Sequence, residues 1–152
     1  MTRSPARNGG FTLIEMLVVL AIVATATAIT VPLLRPPSPS AEVRRAALGL
    51  ASDLRIARSA ALRANGTTVV DVDVATATWR AADAGQPRRA PAGTTVRLSV
   101  PPTELTGAQS GRIRFRADGS STGGTIELVR AGFAAAVAVE AFTGGVHVRT
   151  SD

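Results

Sequence analysis

Residues 11–34 read FTLIEMLVVLAIVATATAITVPLL, a run of twenty-four positions broken by one charge, Glu15, and lacking a polar face. A helix of that length, at ~1.5 Å per residue, reaches roughly 36 Å, enough for a hydrocarbon core of about 30 Å. The pattern predicts a membrane-crossing helix. Next come residues 35–40, RPPSPS, whose prolines remove amide donors and restrict the residues before them, so a joint is expected rather than ordinary helix. Over residues 41–65 the apolar positions Val43, Ala47, Leu50, Leu54, Ala57 and Ala61 recur three and four apart, predicting an amphipathic helix. Ser40 is its expected N-cap and Asn65-Gly66 its left-handed stop. The opposite face carries Arg44, Arg45, Arg55, Arg58 and Arg63, expected to be solvated.

Beyond Gly66 the period drops to two. Val70, Val72 and Val74 alternate with Asp71 and Asp73, and short alternating runs follow at residues 96–100, 113–117, 126–129, 136–139 and 146–148. Turn signals separate them at Asp83-Ala84-Gly85, Pro101-Pro102, Asp118-Gly119, Gly123-Gly124 and Gly144-Gly145. The expected class is α+β, with one helix packed on an antiparallel sheet or on two small sheets.

For the amino-terminal run, a soluble core helix is disfavoured because the run is apolar on every side. A cleavable secretory signal has small-residue sites in Ala24-Thr25-Ala26 and Ala26-Thr27-Ala28, but gains nothing from Glu15. A retained anchor fits best. Arg3 and Arg7, without an acidic residue before the run, predict residues 1–10 in the cytoplasm and the rest outside it. All 17 basic residues are Arg, as a high-GC coding bias would also produce, and the net charge of +6 permits anionic partners without identifying one. With aromatics at 3% of the chain, its core must be built from small and branched side chains.

The stretch Gly9-Gly10-Phe11-Thr12-Leu13-Ile14-Glu15, followed by the apolar run, resembles the amino-terminal signature of type IV prepilins and type II secretion pseudopilins. The resemblance implies that a prepilin peptidase cuts between Gly10 and Phe11 and methylates the new amino terminus at Phe11, that Glu15 acts in filament assembly, and that Pro32 sits where the family often kinks its helix. A narrower resemblance rests on three segments, residues 54–61 (LRIARSAA), residues 113–124 (IRFRADGSSTGG) and Phe142-Thr143-Gly144. These look like the minor pseudopilin GspH and its relative FimT. The basic run that commonly follows Thr-Gly in those proteins is reduced here to Arg149, and the resemblance rests on no identified segment between residues 75 and 109.

Little points to catalysis. His147 is the only histidine and the sequence gives it no titratable partner, so an ordinary surface position is expected. Asp71 and Asp73 project from one strand face, too few for a Ca²⁺ site, and are expected to pair with arginine on a neighbouring strand. With no cysteine the chain has no disulfide or thiolate site, and no metal or cofactor is expected. Arg112, Arg114 and Arg116 share one side of a strand opposite Ile113 and Phe115, a candidate contact for an anionic partner, either an acidic subunit or a DNA phosphate backbone.

The expected organisation is thus a removed leader (1–10), a transmembrane and assembly helix (11–34), a proline-rich joint (35–40) and a periplasmic pilin-like domain (41–152). The resemblance implies a non-enzymatic minor pseudopilin held once in the bacterial inner membrane. It would assemble with other pseudopilins into a short periplasmic pseudopilus that helps export folded proteins across the outer membrane. The alternative is a FimT-like minor type IV pilin acting in pilus biogenesis or DNA binding and uptake, the one reading in which nucleic acid is a partner.

Overall fold

The computed structural model describes residues 12–33, 37–81 and 86–151, with the side chains of 28–33 excluded. The chain divides into two units, residues 1–36 and 37–152. Gly10 and Phe11 lie outside the described residues, as does the expected turn at Asp83-Ala84-Gly85.

In the first unit, helix α1 (Leu13–Leu33) starts after Thr12, whose carbonyl and hydroxyl both accept the Glu15 amide, at 3.0 and 3.3 Å. Polar side chains within it turn back to the backbone. The Thr25 hydroxyl donates to the Ala21 carbonyl at 2.9 Å, and that of Thr27 to Val23 at 2.7 Å, so neither needs another partner in an apolar surrounding. Every side chain from Thr12 to Thr27 is exposed, an uncovered apolar surface that water disfavours. Among the described residues no helix is long and apolar enough to cross a membrane, and the apolar run of the sequence continues past the described residues at both ends.

In the second unit, helix α2 (Pro39–Ala64) begins two residues before the expected start. Its N-cap is Ser38 rather than Ser40, with the hydroxyl accepting the Ala41 amide at 3.3 Å. Pro39 takes the first helical position, where its missing N–H costs nothing and its fixed φ is already helical. The stop falls as expected at Asn65, left-handed at φ 47°, and the Gly66 amide returns to the Ala61 carbonyl at 3.1 Å. The predicted apolar stripe is buried, with Ala51 added to it.

Two antiparallel sheets flank α2. The first has the order β3-β2-β1-β6-β5, made from β1 (Thr68–Asp73), β2 (Thr78–Ala81), β3 (Arg88–Arg89), β5 (Leu105–Gly107) and β6 (Ser110–Phe115). The second runs β4-β7-β8-β9, from β4 (Thr95–Ser99), β7 (Gly124–Arg130), β8 (Phe133–Val139) and β9 (Val146–Ser151). The expected two-sheet form of the α+β class is therefore the one observed. The helix packs on both sheets, and Leu50, Leu54, Ile113, Phe115, Ile126, Leu128 and Val137 close the core between them. Strands β2, β3 and β5 were not expected. They are short, and their edges are fixed by pairing to β1 and β6 rather than by a periodic run of their own. The β1–β2 hairpin turns where Asp73 Oδ1 accepts the Thr76 amide at 3.0 Å and Ala77 takes φ 52°.

Candidate functional site

Three segments far apart in the sequence meet at the carboxyl-terminal half of α2. Arg58 donates from Nε to the Gly119 carbonyl at 3.0 Å and from Nη2 to the Thr143 carbonyl at 2.8 Å. Arg55 donates from Nη2 to the Val146 carbonyl, also at 2.8 Å. Two arginines of the supposedly solvated face thus fasten the loop after β6 and the turn between β8 and β9 to the helix. The two charge-assisted bonds of Arg58 join the same three segments that carry the narrower family resemblance.

Backbone geometry permits the junction only with glycine. Gly119 has φ +81° and Gly144 φ +63°, and a Cβ on Gly144 would overlap the Gly119 carbonyl and stand 2.8 Å from Arg58 Nε. The second turn is further tied by the Thr143 hydroxyl donating to Glu140 at 2.6 Å and by the Gly145 amide donating to that hydroxyl at 3.0 Å. At its tip Phe142 is 94% exposed. An aromatic held on a braced turn loses little conformational freedom on contact with a protein, so this end of the domain is suited to subunit packing.

The three strand arginines are not placed alike. Arg112 and Arg114 lie on the outer side of β6, but Arg116 falls beyond the strand's last residue, Phe115, and bonds Ser120 Oγ and the Ser121 carbonyl, each at 3.4 Å. Arg112 Nε meets Glu104 Oε2 at 2.8 Å and Arg114 Nε meets Oε1 at 3.3 Å. Burial alone would raise the Glu104 carboxyl, but hydrogen bonds from Arg114 and Arg112, with their charges, outweigh it and hold the group below its ordinary value. Glu104 is a buried charge that sequence reasoning passed over. Nothing in its local pattern marks it, since its partners are eight and ten residues away on a folded-back strand.

Asp71 stands in register between Arg80 of β2 and Arg112 of β6, whereas Asp73 serves the hairpin turn, whose Thr76 amide lowers its carboxyl. Among the described residues no three His, Cys, Asp or Glu side chains group as metal ligands. His147 does have a titratable neighbour, contrary to expectation: its Nε2 lies 3.2 Å from Glu140 Oε1 across the turn. The Glu140 carboxyl is lowered first by the Thr143 hydroxyl and then by His147. Glu15 occupies the first turn of α1, exposed, and its carboxylate has no ion-pair or hydrogen-bond partner among the described residues.

The family described as type II transport protein GspH matches residues 46–145, which include all three segments joined by Arg58. The prokaryotic N-terminal methylation motif matches residues 5–31, which contain Gly10, Phe11 and Glu15. Among solved structures, the minor pseudopilin EpsH from the type 2 secretion system of Vibrio cholerae aligns with TM-score 0.57 at 13% identity, covering 72% of this chain and 97% of that one. The type IV minor pilin FimU of Pseudomonas aeruginosa aligns with TM-score 0.52 at 14% identity, over 73% of this chain and 89% of that one. These likenesses establish a shared fold. No curated protein sequence matches this chain.

Proposed function

This chain belongs to the GspH family of type II transport proteins, and from that membership we propose that it is a minor pseudopilin of a type II secretion system, helping to export folded proteins across the outer membrane. Its role is structural, that of a pilin-like subunit assembling with others of its kind. The observation that carries the proposal is the family match over residues 46–145, joined to a methylation motif at residues 5–31.

In this reading a prepilin peptidase cuts between Gly10 and Phe11, Phe11 becomes the methylated amino terminus, and residues 11–34 hold the subunit in the inner membrane with its domain in the periplasm. The uncovered apolar surface of α1 supports the anchor role, because it calls for lipid or for neighbouring helices in a filament. The braced turn bearing Phe142 supports a packing role for the domain. Arg112, Arg114 and Arg116 remain proposed anionic contacts, the first two with part of their charge offset by Glu104.

The likeness to FimU supports a second reading, a minor type IV pilin in pilus biogenesis or in DNA binding and uptake. Deletion in the host separates the two. The secretion reading expects folded enzymes to accumulate in the periplasm while surface pili persist. Loss of pili with secretion intact would overturn it in favour of the pilus reading.

A further inference from the structure

A cleft of about 350 Å³ opens beside the first three turns of α2, lined by Arg45, Gly49, Trp79, Arg88, Arg89 and Pro91 among others. The acidic groups around it are already engaged. Glu42 pairs with Arg130, and Asp53 accepts the Trp79 indole N–H at 2.8 Å and Arg88 Nη1 at 2.9 Å. The Trp79–Asp53–Arg88 chain holds one guanidinium in place through a single nitrogen. The guanidinium groups of Arg45 and Arg89 are exposed and have no hydrogen-bond or ion-pair partner among the described residues. The helix contributes the short Ala46 and Gly49 here beside Glu42 and Arg45. Three guanidiniums share the cleft with the Glu42 carboxylate, which is paired to Arg130, and only one of the three, Arg88, is bound by a carboxylate, that of Asp53. Such an arrangement favours an oxyanion that accepts forked N–H donors, and phosphate fits that geometry.

The position of the cleft selects the source of the phosphate. Its helical residues lie on the amino-terminal half of α2, ten residues or fewer past Pro39 along the chain, a rise of about 15 Å. Residues 34–38 link that helix to the apolar run and span at most about 18 Å when fully extended. The sequence adds Arg35 and Arg44 at the same end, whereas Arg58 at the other end is spent on loop carbonyls. We propose that the Arg45, Arg88 and Arg89 cleft binds the phosphate of an anionic phospholipid headgroup, seating the domain on the membrane surface while the subunit is still held there. Basic pockets next to a membrane segment bind anionic headgroups by this chemistry. The proposal rests on the anchor reading of residues 11–34.

Trp79 is the only tryptophan in the chain and lines the cleft, so its fluorescence reports occupancy. The full chain in zwitterionic micelles is titrated with dihexanoyl phosphatidylglycerol, with inorganic phosphate and with duplex DNA. A saturable Trp79 response to the lipid is expected, competed by inorganic phosphate at higher concentration. Apparent affinity should fall about tenfold or more in an Arg45→Gln, Arg89→Gln double variant and stay unchanged in Arg149→Gln. Unchanged thermal unfolding of the double variant confirms that the loss is local. No saturable response to the lipid, an equal response in the double variant, or stronger binding of DNA than of lipid would each overturn the proposal. Extraction of the native chain from membranes by alkaline carbonate reads the anchor separately, so the failure of one reading is not mistaken for failure of the other.

Discussion

Gly144 is packed against Gly119 so closely that neither the Gly119 carbonyl nor Arg58 Nε leaves room for a Cβ at position 144. The contact joins the loop after β6 to the turn between β8 and β9, and Arg58 seals it from the helix side. It makes the carboxyl-terminal end of α2 and two remote turns one mechanical unit.

Gly144→Ala is expected to destabilise the domain by about 1 to 3 kcal/mol, from a left-handed backbone combined with steric overlap. Gly132 is the control, since its φ of +85° is equally unfavourable for alanine but nothing lies within 4 Å of a Cβ there. Gly132→Ala should cost only about 1 kcal/mol. Thermal unfolding of the two variants measures the difference, and equal losses would mean that the Gly119 contact relaxes without cost.

The Glu104 carboxylate is held below its ordinary value by Arg114 and Arg112, so its contribution to stability is fully present above pH ~4.3, the ordinary glutamate value in an unfolded chain. It is lost as pH falls through the lower value that the fold imposes. Glu104→Gln is expected to destabilise at pH 7 by about 1 to 3 kcal/mol, less than the roughly 3 to 5 of a fully buried pair, because each guanidinium is about a third exposed. The gap between wild type and variant should close in acid. Parallel denaturant titrations from pH 7 down to pH 2 check this, and a gap independent of pH would assign the loss to packing instead of charge.

Mass spectrometry of the membrane fraction is expected to find a mature chain that starts at N-methylated Phe11. A chain beginning at Thr27 or Ile29 would identify a conventional signal peptide and remove the anchor.

Glu15 lies four residues along the chain from the amine that cleavage would create at Phe11. An acidic residue is tolerated near the membrane interface but costs about 2.5 to 3.5 kcal/mol near the bilayer centre. Its proposed partner is the amino terminus of an adjacent subunit. Glu15→Ala is expected to insert and be cleaved normally yet to cross-link poorly to the other pilin-like subunits, with Glu15→Asp intermediate because its shorter side chain reaches less far. Wild-type cross-linking of Glu15→Ala would leave Glu15 as an interfacial residue only.

The sequence by itself determined the elements whose cause is local. Helix α1 (Leu13–Leu33) follows from an unbroken apolar run, and the stripe from Val43 to Ala61 and the alternation around Ile113 and Phe115 follow from side-chain periodicity. Periodicity depends only on which residues must leave water. The Asn65 stop was equally legible, since a left-handed backbone needs a particular residue and not a particular neighbour. Tertiary structure decided what depends on pairing at a distance. It turned Arg55 and Arg58 from solvated residues into clamps, divided Arg116 from Arg112 and Arg114, gave His147 a partner in Glu140, and built β2, β3 and β5 onto strands that already existed. Arginine has the same preference for polar surroundings whether it meets water, a carbonyl or a carboxylate. Only the fold, by bringing Gly119, Thr143 and Glu104 within 3.3 Å of their guanidinium partners, settled which of these each arginine meets.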